Sequence, residues 1–319
     1  MSMLLTPRAV RGLFVEAATA KFARNVPDFV RLRQLVADNG GQFLNDHGAI
    51  RTADPAVRAL FVQAARVLGL RRELNYAFPS KKLVSFDLQA IGDDAHEFKI
   101  FVSQVDLEAF PAAVADVVRT DCAEQAAAVD HTPFLALIAK AEAAGGLSAR
   151  DAETFVSHFV EKLMSRPGPA LRRSTLEAVA GVSGEAASAL ALGPDFNHVT
   201  IDVLAAGYRG IDAMAAAMLA AGFRLLPAIQ GAPGTKLRQT ATMAATMDTP
   251  IREADDSAGV AQTEKQFVEI IERAQAQDGD GAPLWQQDGQ PLVFRNFLAA
   301  NAEKIFDAAS TKASAAMSC

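Results

Sequence analysis

Gly193-Pro194-Asp195-Phe196-Asn197-His198-Val199-Thr200-Ile201-Asp202-Val203 is the stretch that decides the fold class. The Gly-Pro break stops what precedes it. Residues 199–203 then alternate apolar and polar, as a half-buried strand does. Downstream, residues 211–221 read as a helix ended by Gly222, and residues 224–229 and 236–243 read as strands. Strand, helix, strand, strand is the opening of a βαβββ unit. Residues 266–274 fit a strand or a helix on pattern alone.

Upstream of the break, residues 107–192 are helical in pattern and rich in alanine. They are punctuated by Gly145-Gly146 and Pro167-Gly168-Pro169, and Ser148 with Asp151 forms a capping box. This block reads as a helical insertion or cap. The first third mixes elements. Helix starts are marked at Thr6-Pro7, at Asn25 with Pro27, and at Asp54-Pro55. Two strands, 83–88 and 98–103, flank a hairpin turn at Gly92-Asp93-Asp94. The expectation is one α+β domain over residues 1–310, with N-terminal helices and a flexible tail at 311–319.

Composition narrows the function. Half of the 319 residues are apolar and 21% are charged, a globular balance. A net charge of −6 leaves no basic footprint for nucleic acid or an anionic membrane. The apolar run 214–223 is too short to span a bilayer, and the N-terminus does not read as a signal peptide. Cys122 and Cys319 read as reduced thiols, which suits a cytoplasmic protein. Nothing in the sequence sets an oligomeric state.

His47 follows the Gly40-Gly41 break and reads as a loop residue. Gly48 beside it leaves room for a ligand, and Arg51 lies four residues on. His198 stands at the mouth of a strand. Glu269, between Val268 and Ile270, would point away from both in a strand, with Glu272 as the alternative carboxylate. Two imidazoles and a carboxylate are the ligand set of a facial triad for Fe(II), and zinc, nickel or manganese use similar donors. Residue types alone leave ordinary core and loop roles open for all three. Arg238 reads equally as a carboxylate binder or the partner of an acid such as Asp202. Asn197 and Gln239 can orient metal ligands. His96 reads as a surface residue, His131 as a helix-entry residue, His158 as a packed helix residue, and Trp285 as loop packing. The glycine pieces 207–210 and 279–281 lack the strand-loop-helix context of a phosphate site.

Several segments carry a resemblance in order along the chain. Asp46-His47-Gly48-Ala49-Ile50-Arg51 resembles the His-Gly-Ala-Ile-Arg segment of the 2-oxoadipate dioxygenase/decarboxylase (hydroxyglutarate synthase) family. Asn197-His198-Val199-Thr200 is similar to its Asn-His-Leu-Thr. Gly231-Ala232-Pro233 with Leu237-Arg238-Gln239-Thr240 is similar to its Gly-Pro-Pro and Leu-Arg-Gln-Thr pair. Phe267-Val268-Glu269-Ile270 resembles its Phe-Gly-Glu-Ile, and Phe297-Leu298, Ala302 and Ile305-Phe306 resemble its C-terminal segment.

The resemblance implies a glyoxalase-like (vicinal oxygen chelate) curved sheet of βαβββ units around a metal. It implies His47, His198 and Glu269 as Fe(II) ligands and Arg51 as the clamp on the substrate's distal carboxylate. Arg238 and Asn301 are further expected substrate contacts, although Ala300-Asn301 departs from the small hydroxylated residue the family often carries there. The implied reaction takes a small 2-oxo dicarboxylic acid and O2 to a 2-hydroxy acid and CO2. The rival readings are a non-redox glyoxalase-like isomerase, lyase or hydrolase, and a non-catalytic binding protein of the same fold.

Overall fold

Helix α1 (Pro7–Asn25) begins where Thr6 accepts from the Ala9 amide, and α2 (Pro27–Asp38) follows directly. Strand β1 (Asn45–Thr52), α3 (Pro55–Val67), β2 (Leu70–Phe78), β3 (Leu83–Ala90) and β4 (Lys99–Val105) come next. Residues 107–192 hold α4 (Ala112–Ala126), α5 (Thr132–Ala144), α6 (Ala149–His158), the two-residue strand β5 (Leu171–Arg172), α7 (Arg173–Ala180) and α8 (Gly184–Leu192). Then follow β6 (Phe196–Asp202), α9 (Ile211–Ala220), β7 (Leu237–Ala241), β8 (Ala245–Arg252), β9 (Ala258–Arg273) and α10 (Ala299–Ile305). The computed structural model describes residues 4–90, 97–285 and 292–306. The expected turn at Gly92-Asp93-Asp94, His96, Cys319 and the tail 311–319 lie outside the described residues.

The strands form a curled, half-barrel mixed sheet in the order β2-β3-β4-β1-β6-β9-β8-β5, with β7 on β9. Two βαβββ units meet in it. In the first, β1 pairs parallel with β4, and β3 and β2 continue antiparallel. In the second, β6 pairs parallel with β9, and β7 continues antiparallel. The expected strand at 224–229 is reduced there to isolated bridges, Leu225 to Thr242 and Gln230 to Gln239. The antiparallel pair β1–β6 joins the units.

Strand alternation sorts side chains to two faces. Ile50, Ile100, Val102, Val199, Ile201, Val268 and Ile270 face one core, which α1, α2, α3, α5, α6 and α9 complete. The other face carries His47, Ala49 and Arg51 on β1, with Lys99 and Phe101 on β4, in register. A second apolar cluster covers this inner face, contributed by α4, α7, α8, Phe297 and Phe306. The helical middle is thus shared between both faces.

Three readings of the sequence are corrected. Residues 45–52 form a buried strand, not a loop; both β1 faces are covered, one by polar groups, so no alternation is visible. Gly48 does not make room for a ligand beside His47. It lies on the outer face, where a Cβ would come within 2.5 Å of the Phe196 ring. Trp285, read as loop packing, is 59% exposed. Strand β2 was missed because it is an edge strand with a run of exposed residues between buried Leu70 and Phe78.

Candidate metal centre

The β1–β6 pairing is interrupted twice. Asn45 stands opposite Ile201 and His47 opposite Thr200, so Asp46 is an additional, bulged residue. Ala49 stands opposite His198 and Ile50 opposite Phe196, so Asn197 is bulged in the same way. Between the bulges, His47 and His198 share the inner face. Parallel pairing sets Glu269 on β9 beside Thr200, which resolves residues 266–273 as strand.

One donor atom from each of His47, His198 and Glu269 lies within 4.8 Å of the other two, and all three side chains are buried. Glu269 Oε2 is 3.5 Å from His47 Nε2 and 3.2 Å from His198 Nε2. The Thr200 hydroxyl sits among them, 3.0 Å from His47 Nε2 and donating to Glu269 Oε2 at 2.9 Å. Burial raises the Glu269 pKa, but hydrogen bonds from both imidazoles outweigh it and hold the carboxyl down at about 2. Burial pushes the His198 imidazole down to about 4, so it is neutral at pH 7. An ionised carboxylate and imidazoles presenting Nε2 form a set that can hold a divalent metal.

Behind His47 runs a charged chain. Its Nδ1 meets Asp46 Oδ1 at 2.7 Å, which leaves Nε2 as the free donor atom. Asp46 takes a two-point contact from Arg273 at 2.7 and 2.8 Å, and Lys99 Nζ lies 3.7 Å away. Burial opposes ionisation of Asp46, yet these two cations hold its pKa well below the usual carboxylate range. Burial lowers Lys99 to about 8 despite Asp46. Arg273 also donates to the carbonyls of Phe294, Arg295 and Asn296, tying the C-terminal segment to the site. Asp46, Lys99, Arg273 and Thr200 were not singled out from the sequence. The signal for Lys99 was a lysine within an apolar strand, Phe98-Lys99-Ile100-Phe101.

The triad opens onto a cavity of ≈ 20 Å³ lined also by Phe101, Gln239, Phe297, Ala302, Ile305 and Phe306. That is room for about one water molecule. Arg51 crosses the Phe306 ring at 4.6 Å. It is 2% exposed, and none of its three guanidinium nitrogens has a hydrogen-bond partner. Burial lowers its pKa to about 10, which still leaves it charged at neutral pH. A buried, unpaired guanidinium is costly and well suited to an anion.

The other expected contacts are placed elsewhere. Arg238 holds Asp212 at 2.5 and 3.0 Å and the Gly231 carbonyl, so its partner is Asp212, not Asp202, and it does not line the cavity. Asn301 donates to the Leu237 carbonyl at 3.0 Å, while its neighbour Ala302 lines the cavity. Glu272 accepts from the Ile211 amide at 2.7 Å, serving the start of α9 rather than the triad. Gln239 lines the cavity. His131 precedes α5 and its Nδ1 is 2.9 Å from Nε2 of His158.

Residues 14–288 match the 2-oxoadipate dioxygenase/decarboxylase family. The chain belongs to that family. Solved structures share the fold of this family member at low identity. Hydroxyglutarate synthase from Oryza sativa, in complex with 2-oxoadipate, superimposes with a TM-score of 0.73 at 17% identity, over 98% of this chain and 97% of that one. Hydroxyglutarate synthase from Pseudomonas putida gives 0.70 at 24% identity, over 87% and 67%. A protein assigned to the glyoxalase superfamily from Ralstonia eutropha JMP134 gives 0.77 at 21% identity, over 85% and 84%. No curated protein matches the sequence. Among the described residues, no helix is long and apolar enough to cross a membrane.

Proposed function

We propose that this family member is an Fe(II)-dependent dioxygenase/decarboxylase acting on a small 2-oxo dicarboxylic acid such as 2-oxoadipate. Its products are CO2 and the 2-hydroxy acid one carbon shorter. The carrying observation is the guanidinium of Arg51, without a hydrogen-bond partner and stacked on Phe306, a ring that lines the cavity onto which His47, His198 and Glu269 open. Family membership supports the reading, as do the two hydroxyglutarate synthase structures that contain 2-oxoadipate.

His47, His198 and Glu269 would hold the metal, and bound iron would supply the redox chemistry with O2. Arg51 binds the distal carboxylate through two parallel hydrogen bonds and stays charged while doing so. The Phe101, Phe297, Ile305 and Phe306 walls cover the aliphatic middle of the substrate and exclude water. Asp46 keeps the His47 proton on Nδ1. Four electrons leave the substrate, two in decarboxylation and two in hydroxylation, which matches one O2 with no added reductant.

The test is anaerobic loading with Fe(II), then O2 uptake against a panel of 2-oxo acids. The expected result is one CO2 per O2 with a 2-oxo diacid and little with its monoacid analogue. Bound metal with no O2 uptake on any 2-oxo acid would overturn the redox reading in favour of a non-redox glyoxalase-like activity.

A further inference from the structure

The two histidines that face each other across β1 and β6 are built alike but finished differently. Each is preceded by the additional residue of a β-bulge, Asp46 before His47 and Asn197 before His198. Each directs Nε2 toward Glu269 Oε2, which leaves Nδ1 to be held from behind. On β1 the holding group is in contact, with Asp46 Oδ1 2.7 Å from His47 Nδ1. On β6 the corresponding atoms are all unpartnered: His198 Nδ1 and both amide atoms of Asn197 are buried without a hydrogen bond. Asn197 is 2% exposed. A buried primary amide with neither atom paired destabilises the chain that carries it, and it is at odds with the otherwise apolar packing of its neighbour Phe196 against Phe14 and Phe98.

We propose that Asn197 is the positioning residue for His198, its Oδ1 accepting the His198 Nδ1–H in the metal-loaded protein as Asp46 does for His47. The inference rests on the metal-site reading above. The same bulge thus serves both ligands, with a carboxylate behind one and a neutral amide behind the other. Metal-bound imidazoles need such an acceptor to fix tautomer and ring orientation, and losing it typically weakens binding about 10–100-fold.

The test uses the full chain loaded with Co(II), which shifts imidazole N–H resonances clear of the diamagnetic envelope. The wild type is expected to show two exchangeable imidazole N–H signals. Asn197→Leu is expected to lose one, to bind Co(II) about 10–100-fold more weakly by chelator competition, and to melt no lower than wild type when metal-free. Asn197→Asp is expected to restore both the signal and the affinity. A merely structural residue would show the opposite: a lower metal-free melting temperature with both signals and the affinity kept, and that outcome overturns the inference alone. If Asn197→Leu does not fold, a wild type with a single protected N–H signal overturns it equally. A wild type that binds no divalent metal removes this inference and the metal-site reading together.

Discussion

The two βαβββ units share one strand order and differ in how completely they are built. The first has four full strands, with nine-residue β2 closing its edge. In the second, the strand that would flank β7 has shrunk to two bridges. Side chains stand in for the missing ladder: Asn301 donates to the Leu237 carbonyl and Arg238 to the Gly231 carbonyl. The incomplete unit nevertheless supplies two of the three triad residues, His198 and Glu269. The lesson is a division of labour. The first unit braces its histidine through Asp46 and Lys99, and the second reaches across with Arg273 at the end of β9. The second leaves its edge free for α10, and so for the wall formed by Ala302 and Ile305.

The sharpest way to break this comparison is to remove a ligand from the second unit. Glu269→Ala should weaken divalent-metal binding by at least about a hundredfold and abolish turnover, read by metal analysis and O2 uptake. Next comes the brace that the second unit lends to the first unit's histidine. Arg273→Leu leaves the Asp46 carboxylate with Lys99 as its nearby cation among the described residues, and should lower unfolding stability by about 3–5 kcal/mol in denaturant titration.

Arg51 and Arg238 sharpen the comparison because they sit in different units. Losing a buried charge partner costs about 2–5 kcal/mol, so Arg51→Met should cut kcat/KM for a 2-oxo diacid by roughly thirtyfold or more. It should also raise the melting temperature of the metal-free protein, since an unpaired buried charge is gone. Arg238→Met should leave kcat/KM within about twofold, because its partner Asp212 is 68% exposed and such pairs contribute about 0–1 kcal/mol.

Gly48 tests the outer face of the joint. Gly48→Ala drives a methyl into the Phe196 ring and should lower stability by about 1–3 kcal/mol. Phe196→Leu in the same chain should recover part of that loss. The smallest effect lies far from the triad. Burial lowers the pKa of both His131 and His158. A histidine whose folded pKa lies below its unfolded value of about 6.5 binds protons more readily when unfolded. Their contribution to stability should therefore be flat above about pH 6.5 and fall as pH drops below it. In His158→Phe, which keeps the stacking on Phe134, the slope of melting temperature against pH should be shallower.

Much of the second unit was legible because it obeys simple patterns. Residues 199–203 alternate, Gly222 ends a helix, and 236–243 contains a strand. The first unit was harder. Residues 45–52 show no alternation because polar groups fill the inner face, and β2 hides at an exposed edge. The triad residues came from the family resemblance joined to residue type. Arg51 was legible in the same way, and its lack of a hydrogen-bond partner was not.

Local pattern carried the α+β class and the positions of most helices, since periodicity and caps are local properties, and the family resemblance added the three residues able to share a metal. Only the tertiary structure decided which polar groups meet. Asp46 reaches His47 because one extra residue bulges β1. Arg273 finds Asp46 across 227 positions. Arg238 turns to Asp212, and Asn301 to a backbone carbonyl. These pairings depend on register and on which face a side chain takes, and a shift of one residue would reverse every one of them.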